Sequence, residues 1–170
     1  MKSRPPYFAT PERIGELLDQ LDAWQGTRWR HAGARPNGMR CGVSGDCLFW
    51  VHAFKAIGAL PEKLEIPDYR IQEARADEMQ TLRLKIMQTG CAVLVFESER
   101  FAHLPIFLIG DVLLFKNGTS GAHCGLVVKT APLHFVHLTG NGLLEEPFHQ
   151  AHYLAALGFA YRLMEPEVSV

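Results

Sequence analysis

Apolar residues in the first half of the chain recur at helical spacing. Leucines and an isoleucine between positions 14 and 21 share one helical face, and Thr10-Pro11 would start that helix as N-cap and first-turn proline. The stretch 47–57 is apolar nearly all round, which predicts a buried central helix that ends at Gly58. A charged amphipathic stretch at 71–88 predicts a further helix on the surface.

The second half of the chain has the pattern of strands. Short apolar or alternating runs lie at 92–96, 112–115, 126–128, 135–138 and 161–163. Turn-forming pairs such as Gly110-Asp111, Asn117-Gly118 and Asn141-Gly142 separate several of these runs. Helices followed by antiparallel strands predict an α+β fold.

Length and composition indicate a globular protein. A chain of 170 residues with 48% hydrophobic and 21% charged residues can bury a hydrophobic core without disulfide bonds or metal ions to stabilise it. We therefore expect a single domain over 1–170, with an N-terminal helix at about 10–25 and the core of the domain at about 26–163. The four cysteines lack CxxC spacing and the density of a secreted disulfide scaffold, so we expect mostly reduced thiols.

Charge and hydropathy exclude several classes of partner. The formal net charge is -1 and the basic residues form no run, so nothing indicates binding to nucleic acid. No stretch reaches the roughly 20 apolar residues of a membrane span, and the start lacks the apolar segment of a signal peptide. We expect synthesis in the cytoplasm and, for any action outside it, delivery by a route other than the general secretion signal.

Cys47 lies where a glycine-rich polar stretch enters the predicted central helix. The unpaired N–H groups and positive dipole end of a helix stabilise a thiolate and can hold an oxyanion. Gly45 leaves room for a substrate backbone beside the sulfur, and we expect the Asp46 side chain to point away and cap the helix or bind loop N–H groups. Cysteine is also a common small buried residue, so the role of Cys47 depends on a nearby base.

His123 is the best candidate for that base. It lies just after a turn, at the start of the apolar run 124–128, and His137 ends the next apolar run. If the two strands pair antiparallel, the start of the first lies beside the end of the second. His137 would then hydrogen-bond the far nitrogen of His123 and orient its ring.

Several segments together resemble the NlpC-type cell-wall cysteine peptidases. They are Gly26-Thr27-Arg28-Trp29-Arg30-His31-Ala32-Gly33, Asp46-Cys47, Gly110-Asp111-Val112-Leu113-Leu114-Phe115, Gly121-Ala122-His123-Cys124-Gly125-Leu126 and Phe135-Val136-His137. The order Cys, His, His fits the peptidases rather than their circularly permuted acyltransferase relatives. The connection Ile66-Pro67-Asp68-Tyr69 resembles the branch found in phage-tail and gene-transfer-particle operons.

The resemblance implies a papain-like α+β fold, with a central Cys-bearing helix packed on an antiparallel sheet. It also implies hydrolysis of amide bonds in peptidoglycan stem peptides, without a cofactor. Cys47 would be the nucleophile, His123 the general base and His137 the orienting residue, and phage-tail proteins would be possible partners. Trp29 stands where many members have a tyrosine that assists the oxyanion site, and Leu48-Phe49 stand where many have Ser-Gly.

Two other interpretations stay open. Metal binding is the first, because the C-terminal half holds the potential ligands His123, Cys124, His134, His137, His149 and His152. His149 and His152 are three apart and would share a helical face, but zinc sites usually show two such pairs. The second is a catalytically silent structural or binding module on the same scaffold. A secreted antibacterial amidase would keep the chemistry and change the setting.

Overall fold

A computed structural model describes residues 4–27, 48–64, 80–88, 90–116 and 122–166. The elements in these ranges are α1 (Pro11–Asp22), α2 (Phe49–Ala56), α3 (Gln80–Gln88), β1 (Ala92–Glu97), β2 (Val112–Lys116), β3 (Ala122–Thr130), β4 (Leu133–Thr139), β5 (Gly142–Pro147), α4 (Ala151–Ala156) and β6 (Leu157–Leu163). None of these helices combines the length and the apolar content that a bilayer crossing requires. Helices precede most of the strands, as the sequence predicts.

The described strands form one antiparallel sheet in the order β1-β6-β2-β3-β4-β5. β2, β3, β4 and β5 are neighbours both in sequence and in space, joined at β3–β4 and β4–β5 by tight turns. β6 returns to lie between β1 and β2. The two strands that carry His123 and His137, β3 and β4, therefore lie side by side, and β4 is next to the edge strand β5.

The two N-terminal helices form for local reasons that the sequence predicts. The Thr10 hydroxyl accepts a hydrogen bond from the backbone N–H of Arg13 at 3.5 Å, and Pro11 occupies the first turn. α1 buries Leu17 and Leu21, which lie one turn apart. α2 buries five of its eight side chains, as expected for a central helix: Phe49, Trp50, Val51, Ala53 and Phe54.

The sheet has two different faces, because successive side chains point to opposite sides of a strand. One face, here called the helix face, carries Cys124, Leu126 and Val136 and packs in one core with α1 and α2. The other, here called the aromatic face, carries Phe115 and Phe135 and packs against Phe107, Phe148 and, through Tyr153, α4. The face that a side chain occupies decides which of these two cores surrounds it.

Some elements differ from the sequence predictions. β5 was not predicted, a helix at the position of α4 was indicated only by the spacing of His149 and His152, and β6 begins at Leu157 rather than at 161. Of the helix predicted at 71–88, residues 80–88 are described and are helical. His149 lies in the turn before α4 and only His152 lies in the helix, so the expectation that they share a helical face is wrong.

Candidate active site

The structure places the predicted site residues in two groups. Cys47, Trp29, Gly45 and Asp46 lie outside the described residues, so their proposed roles stay predictions. The described chain resumes at Leu48, which is buried and is the N-cap of α2. The two histidines are described, and their geometry follows.

His123 and His137 are hydrogen-bonded to each other. His123 is the second residue of β3 and His137 the fifth of β4. Nε2 of His123 lies 2.7 Å from Nδ1 of His137, with ring centroids 4.9 Å apart and ring planes at 79°. The antiparallel pairing of β3 with β4 brings these two positions together, as the sequence predicts.

Both rings belong to the aromatic face. His123 is paired directly across from Phe115 on β2, and the His137 ring lies 5.3 Å from the Phe135 ring and 6.1 Å from the Tyr153 ring. Gly125 makes room for this arrangement, since a Cβ there would lie 2.5 Å from Cδ2 of Phe135. Aromatic packing thus fixes the orientation of the pair.

Burial keeps both imidazoles neutral at neutral pH. Burial, and to a lesser extent the His137 ring, lower the pKa of His123 from its ordinary 6.5 to about 4. Burial also lowers the pKa of His137, and the Glu146 carboxylate opposes that change. A neutral imidazole is the form that accepts a proton, so the pair has the protonation state of a resting general base.

The hydrogen bond leaves one nitrogen of His123 for chemistry. Because Nε2 faces His137, Nδ1 is the nitrogen on which a thiol proton would be received. Nδ1 is a base only when the ring proton sits on Nε2. The protonation pattern of the pair therefore decides whether His123 is competent.

Thr27, the last described residue before Leu48, lies near the turn between β4 and β5. The carbonyl oxygen of Thr27 is 3.7 Å from the Cβ position of Gly142, at the turn between β4 and β5. His137 lies two residues before the end of β4, close to that turn. Leu48, in contrast, packs in the core of the helix face.

The Gly110-Asp111 motif has a structural role. Gly110 has φ +87°, and a Cβ there would lie 2.1 Å from Cδ2 of Phe8. The Asp111 carboxylate accepts bonds from the backbone N–H of Leu108 at 2.8 Å, from Nε of Arg162 at 2.9 Å and from Nη2 of Arg162 at 2.8 Å. This buried ion pair ties the start of β2 to β6.

The remaining histidines do not form a metal centre in the described ranges. No three His, Cys, Asp or Glu side chains there are arranged to hold a metal ion. His134 contacts Glu145 Oε1 at 2.7 Å, and the same oxygen is 2.5 Å from Nζ of Lys129, which gives an exposed ionic cluster. His149 and His152 are exposed.

Two residues next to the histidine pair were missed by the sequence analysis. Tyr153 lies over His137 from α4, and Glu146 lies on β5, directly across from Phe135. The only sequence signal for Glu146 is its even spacing from Leu144, which pairs with His137. That signal has meaning only once the register of β5 is known.

Comparison with known proteins concerns the fold. The chain matches no protein-family model, and no curated relative matches its sequence. The chain is similar in structure to a Staphylococcus aureus subsp. aureus Mu50 protein described as similar to a lipoprotein of the NLP/P60 family, with a TM-score of 0.57 and 16% sequence identity. The match covers 98% of this chain and 45% of that one. At this identity the likeness shows the fold alone, and it confirms the predicted α+β fold, here of the NLP/P60 type.

Proposed function

We propose that the chain is an NlpC-type cysteine peptidase that hydrolyses amide bonds in peptidoglycan stem peptides. Cys47 is the nucleophile, His123 the general base and His137 the residue that orients it, while Trp29, Gly45 and Asp46 lie near the oxyanion. The observation that carries the proposal is the 2.7 Å hydrogen bond between His123 and His137 on adjacent strands, in a fold similar to that of NLP/P60 proteins.

The proposed chemistry needs only these groups and water. The Cys47 thiol gives its proton to Nδ1 of His123 as sulfur attacks the amide carbonyl carbon. The tetrahedral intermediate collapses, the C–N bond breaks, and the leaving amine takes the proton from His123. Water, deprotonated by His123, then cleaves the thioester and frees the carboxylate and the thiol.

The low pKa of His123 has a consequence for this scheme. A ring with a pKa of about 4 is a weak acceptor for a thiol of ordinary pKa, about 8.5. The negative charge of a neighbouring thiolate would raise the pKa of the ring, and the ring would lower that of the thiol. The ion pair therefore forms only when the two groups are in contact.

A silent binding module is the second candidate. The observation that favours it is that Leu48 packs on the helix face whereas both histidines lie on the aromatic face. If the Cys47 thiol does not contact His123, the histidine pair is structural and the chain binds without cleaving.

We further propose a phage-tail-associated setting, with a secreted antibacterial amidase as the alternative. In both settings the chain would hydrolyse the same amide bonds of the stem peptides. Release of the same fragments from sacculi is expected in either case, and purification of tail particles with the chain attached separates the two.

The test is digestion of purified sacculi, with mass spectrometry of the released stem-peptide fragments. Cys47→Ala should lower the rate by three orders of magnitude or more, since the nucleophile is lost. His123→Ala should lower it about 10²–10⁴-fold, and His137→Ala should be milder because orientation contributes less than the base itself. Wild-type rates in Cys47→Ala would disprove the mechanism.

Cys91 provides the matched control. Cys91→Ala should keep the wild-type rate, and a thiol-directed alkylating agent at neutral pH should modify Cys47 faster than Cys91. Equal rates at the two thiols, with no fragments released, would support the silent module instead.

A further inference from the structure

Nε2 of His137 is buried without a hydrogen-bond partner in the described structure. The side chain is 8% exposed, and its other nitrogen is bonded to His123. An unmade hydrogen bond at a buried polar atom costs about 1–3 kcal/mol, so such atoms usually have a partner or a function. The unpaired Nε2 belongs to the ring that is hydrogen-bonded, through Nδ1, to the proposed base His123.

Two arrangements of protons fit a neutral pair. In the first, Nε2 of His123 donates to Nδ1 of His137, so Nδ1 of His123 is bare and His137 carries its proton on Nε2. In the second, Nδ1 of His137 donates, so His123 carries its proton on Nδ1 and cannot accept another. The first arrangement needs an acceptor beside Nε2 of His137, and the second needs a donor.

Glu146 is the acceptor that the sheet supplies. On β5, Leu144 pairs with His137 and Glu146 follows two residues later, on the same face. Such diagonal neighbours have backbones roughly 7–8 Å apart, within reach of a long side chain. One carboxylate oxygen of Glu146 accepts from Nε2 of Gln150 at 3.2 Å, which holds the group over this face.

Other groups around His137 do not select between the arrangements. His123 takes part in both, and the Tyr153 hydroxyl can donate or accept. A carboxylate only accepts, so it stabilises the first arrangement and disfavours the second. The influence of Glu146 on the ring is also visible in the pKa of His137, which its charge pulls upward.

We propose that Glu146 is a positioning residue that holds the proton of His137 on Nε2 and thereby keeps Nδ1 of His123 free to act as a base. It does so by a rotation of its side chain or across one ordered water. The consequence for catalysis depends on the proposed function, whereas the consequence for the protons does not. The cluster is then a relay of three residues on three adjacent strands, β3, β4 and β5.

Long-range ¹H–¹⁵N spectra of the histidine rings test the proposal without any assay of activity. In the wild-type protein at neutral pH, both His123 and His137 should carry the proton on Nε2. In Glu146→Gln, a large share of His137 should carry it on Nδ1. Glu145→Gln is the matched control, because Glu145 is adjacent on β5 and binds Lys129 and His134 instead. Its His123 and His137 signals should equal those of the wild type, and only the His134 signals should change.

Kinetics provide the second measurement. If the chain is a peptidase, kcat/KM of Glu146→Gln should fall about tenfold. The fall should match the decrease in the fraction of molecules in which Nδ1 of His123 carries no proton. The same change in a His137→Ala background should add no further loss, because the effect passes through His137.

Several outcomes would overturn the proposal. One is a Glu146→Gln protein with wild-type ring protonation, and another is Tyr153→Phe shifting the protons while Glu146→Gln does not. A further loss of activity from Glu146→Gln in the His137→Ala background would also overturn it. If Glu146→Gln moves the His137 proton to Nδ1 but the wild-type chain cleaves no stem peptide, the role of Glu146 is supported and the proposed peptidase activity is contradicted.

Discussion

Two polar pairs link strands of the same sheet, and they differ in how fully their atoms are bonded. The Asp111 side chain is 1% exposed, yet both of its oxygens accept bonds, with three donors at 2.8–2.9 Å. His137 is 8% exposed and has one partner, with its second nitrogen unpaired in the described structure. Burial raises the pKa of Asp111 and lowers that of His137. Hydrogen bonds from Arg162 and Leu108 oppose the first change, whereas only the charge of Glu146 opposes the second.

The difference separates a structural pair from a reactive one. The ion pair joins the start of β2 to β6, and its bonds leave no oxygen of the carboxylate free to take part in a reaction. The histidine pair has a nitrogen on each ring that is not used within the pair, and protons can be taken up or released there. The unused nitrogens therefore add to the hydrogen bond between the two rings as a mark of the candidate site.

The largest effect is expected from removing one side of the ion pair. Arg162→Leu leaves the buried Asp111 carboxylate with a single backbone donor, so the free energy of unfolding should fall by about 3–5 kcal/mol. Urea denaturation measures this change. The double variant Asp111→Asn, Arg162→Leu should recover part of the loss, because no charge is then buried alone. A double variant less stable than Arg162→Leu would contradict this account.

The histidine pair should make stability depend on pH. The pKa of His123 is about 4 in the folded protein against 6.5 when unfolded, so the unfolded chain binds the proton first as the pH falls. Stability that is fully present above pH 6.5 is therefore lost between 6.5 and about 4, by at most about 3 kcal/mol.

The control for this prediction is His123→Ala. Denaturation curves at several pH values should show a smaller loss over the same window in the variant. His52 and His137 also have lowered pKa values from burial, so some dependence should persist. An identical loss in the variant and the wild type would show that His123 is not buried as a neutral ring.

The smallest effect is expected at the exposed cluster of Lys129, His134 and Glu145. Burial is slight there, so water competes with the ion pair, and Lys129→Ala should change the free energy of unfolding by less than about 1 kcal/mol. Denaturation in low and high salt measures it. If Lys129→Ala lowered the free energy of unfolding as much as Arg162→Leu does, burial would not explain the difference between the two ion pairs.

Much of the fold could be predicted from the pattern of apolar residues. The central helix was predicted because 47–57 has no polar face, and the His123–His137 contact because two apolar runs are separated by a short turn. These signals are local, and a tight hairpin brings its two strands together without help from the rest of the chain.

Other parts gave no readable signal. β5 carries Glu145 and Glu146 in succession on an edge strand, which hides the alternation, and α4 is six residues long with no buried side chain. The position of Glu146 beside the histidines follows from the pairing of β5 with β4, which the sequence does not encode locally. The contact between Cys47 and His123 stays a prediction.

Gly125 limits how the histidine pair could be transferred to another protein. Its missing side chain is the space in which the Phe135 ring lies, and that ring in turn touches His137. A methyl group at 125 would push the ring away and unseat the imidazole behind it. Grafting the two histidines onto another antiparallel hairpin would therefore require the glycine and the phenylalanine to be transplanted with them.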